Sequence, residues 1–185
     1  MAAPSTWADG HTRHVSRVRT YNWPPYQLNF WIFVMLFAAA SIVGVFASFV
    51  QIQQQLDLPI PWYFPYNITV GTLALVFIGG VFLLIANRRL LPAIVMLGAL
   101  MMLVLWLVGL VVVAVQLFGP TGSVQSTCDL QVFTRDPRGA TQETLAWLQQ
   151  RNICQSWQFA FAMALIGSIF LLWIMVMAYQ VFVDS

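Results

Sequence analysis

Four apolar stretches, each about as long as a bilayer is thick, dominate this chain of 185 residues. They run over residues 28–50, 68–86, 91–118 and 157–183, and none of them contains a charged side chain. A helix of about 20 apolar residues crosses the hydrocarbon core of a membrane. The stretches therefore predict an all-α membrane protein whose four transmembrane helices form an antiparallel bundle.

The composition supports the same class. Hydrophobic residues make up 60% of the chain and charged residues 8%, whereas a soluble domain carries about 25% charge. The net charge of +2 gives no electrostatic footprint for nucleic acid. We expect an N-terminal tail over residues 1–27, a transmembrane domain over 28–183, and outer loops at 51–67 and 119–156.

Arginine placement predicts the orientation of the bundle. The basic residues expected to set it lie in the tail and in the turn between the second and third spans: Arg13, Arg17, Arg19, Arg88 and Arg89. The positive-inside rule makes that side cytoplasmic, and four spans then place both termini there. We expect the plasma membrane or a secretory-pathway membrane. The arginine-bearing tail leaves the mitochondrial inner membrane as an alternative.

The only two cysteines, Cys128 and Cys154, flank a polar insert in the second outer loop. The predicted orientation puts them in an oxidising compartment, where thiols pair. A disulfide closing a loop of about 27 residues would restrict the unfolded chain by about 3.5 kcal/mol. Two cysteines without nearby histidine cannot fill a tetrahedral metal site. We therefore expect a disulfide, and no metal or other cofactor.

Between the cysteines, the segment ATQETLAWLQQRN predicts a short helix of its own. Thr141 suits its N-terminal cap, and Leu145 and Leu148 share one face. This helix is interpreted either as a lid that packs on the membrane surface, which we favour, or as a knob that binds a partner.

Aromatic side chains are concentrated near the predicted span ends. Pro59, Pro61 and Pro65 oppose a regular helix in the first outer loop. The rings are typical of residues that anchor helices at the membrane interface, although those of the loop could also bind a ligand. The predicted anchors are Trp23, Tyr26, Trp62, Tyr63 and Tyr66. Asn67 begins a glycosylation sequon, which we expect to lie too close to the bilayer for modification.

Small residues at four-residue spacing predict where the helices pack. Lipid provides no hydrophobic drive between helices, so close approach of backbones must supply the contacts. The predicted packing positions are Ala40, Gly44 and Ser48 in the first span, Gly71 and Gly79 in the second, and Ala160, Ala164 and Ser168 in the fourth.

The spans lack residues that carry chemistry. An ionisable side chain inside a membrane is the usual mark of a transport path or proton relay, and these spans have none. The sequence also has no nucleophile–base pair and no glycine-rich phosphate loop, so we expect no enzyme and no catalytic residue. Gln116, Gln158 and Gln180 are polar but neutral, and we expect them to bond across helices or reach lipid headgroups. A polar path near Gln116 or Gln158 leaves open a small carrier or channel for a neutral or lipid-like ligand.

The layout resembles MARVEL-domain proteins, especially the small fungal kind, over roughly residues 27–183. The similarity lies in the four spans, the cytoplasmic termini, the short basic inner turn and the cysteine pair of the second outer loop. Claudin-like proteins instead place paired cysteines in the first loop, and the Cys-Cys-Gly motif of tetraspanins is absent. The resemblance implies microdomain assembly, membrane apposition, trafficking or escort of larger membrane proteins.

We therefore expect a non-enzymatic tetraspan protein. It would organise membrane domains, or serve as an accessory or scaffold subunit, through lateral helix contacts. Its expected partners are membrane lipids and either further copies of itself or a larger membrane-protein complex. A neutral-ligand carrier or channel, and an accessory subunit of a mitochondrial inner-membrane complex, are the alternatives.

Overall fold

The computed structural model describes residues 23, 25–86, 92–120, 123–134, 137, 139 and 142–183. The residues used to predict topology and the predicted helix cap lie outside this part of the chain: Arg13, Arg17, Arg19, Arg88, Arg89 and Thr141.

Five α-helices and one short π-helix make up the described fold, and no strand occurs in these residues. The helices are α1 (Pro25–Gln55), α2 (Tyr63–Ala86), α3 (Pro92–Phe118), α4 (Val124–Cys128) and α5 (Gln142–Val183), with the π segment at Asp129–Phe133. Helices α1, α2, α3 and α5 are long and apolar enough to cross a bilayer. The prediction of an all-helical, multi-pass membrane protein is confirmed at this level.

Helix α5 differs from the expectation of a separate short helix, which was wrong. It runs unbroken for 42 residues, or about 63 Å at 1.5 Å per residue, which is about twice the thickness of a hydrocarbon core. The polar residues before Trp157 suggested a boundary, but Glu, Leu, Ala, Gln and Arg are all good helix formers. No glycine or proline interrupts the segment between Gln142 and Trp157.

The connection between α1 and α2 is shorter than predicted. Helix α1 continues to Gln55, and α2 already begins at Tyr63. Pro65 therefore lies in the first turn of a helix, where a missing backbone N–H leaves no intrahelical bond unmade. Pro65 was expected to prevent a regular helix. It is compatible with α2 because it lies in the first turn.

A Schellman-type hydrogen-bond pattern ends α1. Asp57 adopts a positive φ of 52°, and its N–H donates to the carbonyl of Gln54 at 3.3 Å. The N–H of Leu58 donates to the carbonyl of Gln53 at 3.0 Å. This pattern satisfies carbonyls that the helix end would otherwise leave unpaired.

The four long helices form a closed ring around one core. Helices α1 and α3 each pack against both α2 and α5, whereas the described residues show no close backbone approach across the diagonals. Large apolar side chains fill the interior, with Trp31, Met35, Phe46, Leu171 and Ile174 almost fully buried. This arrangement is a four-helix bundle.

Aromatic rings hold α1, α2 and α5 together near one end of the bundle. The ring of Trp157 stacks on Phe49 at a centroid distance of 5.3 Å. Phe46 and Phe64 pack around the same indole at 6.0 and 6.2 Å. These contacts set the level of α5 relative to α1, because Phe49 and Trp157 lie side by side.

The same end of the bundle carries the cysteine pair, and we call it the disulfide end. Cys128 of α4 and Cys154 of α5 form a disulfide with their Cα atoms 6.0 Å apart, as predicted. The indole of Trp147 donates to the carbonyl of Val132 at 2.9 Å. The polar insert is therefore attached to the side of α5.

Candidate functional site

Glycines inside the bundle allow the helices to approach closely. A Cβ atom on Gly71 of α2 would lie 2.7 Å from a methyl group of Val43 on α1. On Gly167 of α5 it would lie 2.5 Å from the indole of Trp106 on α3. Cβ contacts this short are not tolerated, so a larger residue at either position would have to displace the neighbouring side chain or the helix that carries it.

Three aromatic side chains donate hydrogen bonds to backbone carbonyls of a neighbouring helix. The bonds run from Trp31 Nε1 to Phe170 O at 2.7 Å, from Tyr66 Oη to Leu105 O at 2.9 Å, and from Trp106 Nε1 to Ala164 O at 2.8 Å. They join α1 to α5, α2 to α3 and α3 to α5. In an apolar medium a polar side-chain group needs such a partner.

Trp31, Trp106 and Gly167 are not among the packing positions predicted from the sequence. The signal available for the two tryptophans was an indole N–H within an apolar span, which must find an acceptor. Gly167 carried only the general preference for small residues at helix contacts. Neither signal specifies which helix supplies the partner.

The predicted interface anchors occupy different environments. Tyr26 is 89% exposed and Trp62 is 65% exposed, whereas Trp23 and Tyr63 are half-buried against the core. Tyr66 uses its hydroxyl inside the bundle, on the α3 carbonyl. Two of the five rings are thus largely exposed, although Trp62 contacts the rings of Tyr63 and Tyr66 edge-on at 6.2 Å. The other three contribute to packing in the bundle.

Asn67 of the glycosylation sequon is a buried residue of the bundle. Its side chain is 5% exposed, and its Nδ2 donates to the carbonyl of Tyr63 at 2.8 Å. A Cβ atom on Gly109 of α3 would lie 2.8 Å from its Oδ1. The amide nitrogen that would carry a glycan is therefore enclosed in this structure.

The predicted small-residue positions divide into buried and exposed sets. Gly71, Ala160, Ala164 and Ser168 are buried. Ala40, Gly44, Ser48 and Gly79 are exposed.

The stripe on the first span does not face the bundle, contrary to the expectation. Helix α1 instead buries a face that carries Trp31, Met35 and Phe46. Four-residue spacing defines a face without stating which way it points. The face with the larger apolar side chains fills the core, because it makes more contacts with the neighbouring helices.

Three exposed glycines contrast with those inside. A Cβ atom on Gly44, Gly79 or Gly80 would have no heavy atom within 4 Å. Glycine in a helix is about 1 kcal/mol less favourable than alanine, and no contact within this chain offsets that cost here. These positions leave helix backbone open on the outer surface of the bundle.

A groove of about 710 Å³ lies between α1 and α5 towards the disulfide end. One end is rich in amide side chains: Gln55, Gln149, Gln150 and Asn152. The other end carries small or apolar residues: Ser41, Gly44, Val45, Ser48 and Phe159. No ionisable residue lines it.

A second cavity, of about 300 Å³, lies beside the disulfide between the polar insert and α5.

The amide of Gln158, one of the neutral polar residues noted in the sequence, donates to Gln125 Oε1 at 3.0 Å. Gln125 Nε2 in turn lies 3.1 Å from a carboxylate oxygen of Asp129. This chain of hydrogen bonds adds to the disulfide in holding the insert against α5.

At the centre of the bundle, a void of about 10 Å³ is lined by residues including Asn67 and Trp106. That is about the volume that a single water molecule needs. Within the described ranges, no group of three or more His, Cys, Asp or Glu side chains could hold a metal ion.

No family model, curated protein or solved structure matches this chain.

Proposed function

We propose that this chain is a non-enzymatic tetraspan membrane protein that organises membrane domains, or serves as an accessory subunit of a larger complex, through lateral helix contacts. The single observation that carries this proposal is the pair of adjacent glycines on α2, Gly79 and Gly80, which face outwards with open space where side chains would be. Such a role is also what the resemblance to MARVEL-domain proteins implies.

The surroundings of these glycines suit contact with another helix. Thr72, Val76 and Gly80 follow at four-residue spacing and are all exposed, so they share one face of α2. The hydroxyl of Thr72 donates to the carbonyl of Ile68 on its own helix at 2.8 Å, so this face presents no unpaired hydroxyl hydrogen to lipid. Small, satisfied surfaces of this kind let helix backbones approach closely in a membrane.

The filled centre of the bundle favours this function over a carrier or channel. A transport path needs a continuous hollow or polar route, and the central void holds about one water molecule at most. This geometry gives the transport alternative no support within a single bundle.

We further propose that the disulfide end faces an oxidising compartment, with both termini in the cytoplasm of a plasma-membrane or secretory-pathway protein. The disulfide supports this orientation, as does the placement of the arginines in the sequence. Helix α5 would then extend outside the cell or into a lumen, with Leu145 and Leu148 exposed on it. Because α5 continues directly from the bundle, a partner-binding knob suits this segment better than a lid.

Size measurement of the full chain in mild detergent tests the proposed contacts. We expect an assembly larger than one chain, or a co-purifying membrane protein. Gly80→Leu should reduce it towards the monomer, because the added side chain holds the opposing helix away. Ala162→Leu, which enlarges an exposed small residue of α5, is the matched control and should leave the assembly intact.

A monomeric wild-type chain without any partner would contradict the proposal. An assembly equally unaffected by both substitutions would exclude this face of α2 as the contact. Orientation is tested separately, with a reporter fused after residue 185. A signal from the exoplasmic side would overturn the topology.

A further inference from the structure

The groove between α1 and α5 has the shape and lining of a lipid site. We propose that it binds a single acyl chain whose headgroup is uncharged and carries hydroxyl groups, such as a monoacylglycerol. This site is distinct from the α2 face and does not depend on the lateral contacts proposed for it.

The position of the groove places it across a membrane boundary. The side-by-side rings of Phe49 and Trp157 fix the level of the two helices. Beyond Val50, the α1 sequence changes from apolar residues to the glutamine-rich run of residues 51–55, which indicates where the chain leaves the hydrocarbon. The groove extends on both sides of this boundary, from Ser41 to Leu56. Its lower part, from Ser41 to the boundary at Val50, is therefore open to lipid.

The two ends of the groove match the two ends of an amphiphile. The amides of Gln149, Gln150 and Asn152 line the part beyond the apolar boundary, where they can donate to and accept from hydroxyl or ester groups. In the lower part, Ser48 Oγ donates to the carbonyl of Gly44 at 2.9 Å. Its hydroxyl hydrogen is thereby satisfied, and the lower part suits a hydrocarbon chain.

The charge of the lining selects an uncharged headgroup. No ionisable side chain lines the groove, so a bound carboxylate or phosphate would find no cation there. The nearby guanidinium of Arg151 lies over the ring of Trp147, 5.2 Å from its centroid, and is not part of the lining. An uncharged headgroup with hydroxyl groups can instead pair with the exposed amides.

The length of the groove suits one acyl chain. Residues 41 to 56 span about 22 Å along α1, so an extended hydrocarbon chain can lie along it. A helix of a second protein is the competing occupant, and crosslinking between two chains distinguishes it.

Photolabelling of the full chain tests this site. The probe is a monooleoylglycerol with a photoactivatable diazirine in its acyl chain, added to phosphatidylcholine nanodiscs that hold the protein. Adducts should map to residues 41–56 and 146–159. Gly44→Leu fills open space in the groove and should lower the yield about fivefold or more, as a loss of about 1 kcal/mol would. Ala162→Leu should leave the yield unchanged.

Competition distinguishes the headgroup. Unlabelled monooleoylglycerol should displace the probe about tenfold better than oleate, which has the same chain but lacks the hydroxyl groups that the amides can bind. Substituting Gln149 and Asn152 together by leucine should remove this advantage. Ser48→Leu serves as a second filling variant, should Gly44→Leu lower the unfolding temperature.

Three results would overturn the proposal: adducts spread over all four spanning helices, labelling that neither filling variant reduces, or equal competition by oleate. Crosslinks between two chains at Gly44 would assign the groove to a second copy and overturn it as well. Assembly size is measured on the same samples. Absence of site-specific labelling in a wild-type chain that still assembles contradicts the lipid site alone. Site-specific labelling of a wild-type chain that is monomeric and has no partner contradicts the lateral contacts alone.

Discussion

Trp106 of α3 lies directly over Gly167 of α5, and a Cβ atom on that glycine would meet the indole at 2.5 Å. The same indole donates to the carbonyl of Ala164, three residues earlier on α5, at 2.8 Å. The missing side chain brings the ring near enough to reach the carbonyl. Close packing and a hydrogen bond thus depend on one another at this contact.

We predict that Gly167→Ala destabilises the bundle by about 1–3 kcal/mol, because the added methyl group overpacks the contact with Trp106. Gly79→Ala, measured in a detergent that keeps the chain monomeric, is the matched control, since its methyl group meets nothing within 4 Å in its own chain. That change should be neutral or stabilising by up to about 1 kcal/mol, through helix propensity. Unfolding by detergent titration, followed by circular dichroism, measures both. Equal effects of the two changes would contradict the packing role of Gly167.

We predict that Trp106→Phe also destabilises the bundle, by about 0.5–1.5 kcal/mol for the lost hydrogen bond together with the cost of the smaller ring. Trp62→Phe is the control, because Trp62 is 65% exposed and should tolerate the change. Thermal unfolding of the two variants in one detergent makes the comparison. A stability of Trp106→Phe equal to that of wild type would mean that the bond to Ala164 contributes nothing measurable.

Replacing Cys128 and Cys154 together by serine should lower stability by about 3.5 kcal/mol, the loop-closure value for a sequence separation of 26. Faster hydrogen exchange should be concentrated in residues 124–133, because only a few hydrogen bonds would still link this segment to α5. In native, unreduced protein, neither sulfur should react with an alkylating reagent. Ready alkylation of both would rule out the bond.

The end of α1 offers a test of backbone conformation. Asp57 has a φ of 52°, which glycine adopts without strain and a β-branched residue does not. Asp57→Gly should therefore be neutral or slightly stabilising, whereas Asp57→Val should destabilise by about 1–2 kcal/mol. Thermal unfolding of the pair separates the two outcomes, and a more stable valine variant would contradict this conformation.

Much of the fold was predictable because a helix that crosses a bilayer must be long and uncharged, and the four apolar stretches meet both conditions. The Cys128–Cys154 bond was predictable because the chain has no other thiols. The continuity of α5 was missed, since a change from apolar to polar residues marks where a helix leaves lipid and not where it ends. Polarity and helix propensity are separate properties, and the sequence change before Trp157 is a change in polarity alone.

The candidate sites were harder to predict from the sequence. The stripe of Ala40, Gly44 and Ser48 was visible, but its direction depends on which face of α1 fills the core. The groove exists only because α1 and α5 meet at Phe49 and Trp157 and leave space alongside. Contacts between residues more than 100 positions apart, such as Trp31 with Phe170, require a three-dimensional arrangement that no local pattern specifies.

Because α5 is one unbroken helix, a tilt imposed near its N-terminal end is transmitted along its length. The disulfide attaches the polar insert at Cys154, 12 residues after the start of α5. Helix α5 has no glycine outside the packed contact at Gly167. A tilt of about 5° imposed at Cys154 would shift Val183, about 44 Å away along the helix, by about 4 Å. A molecule that pulls on the insert would therefore also displace the Val183 end of α5.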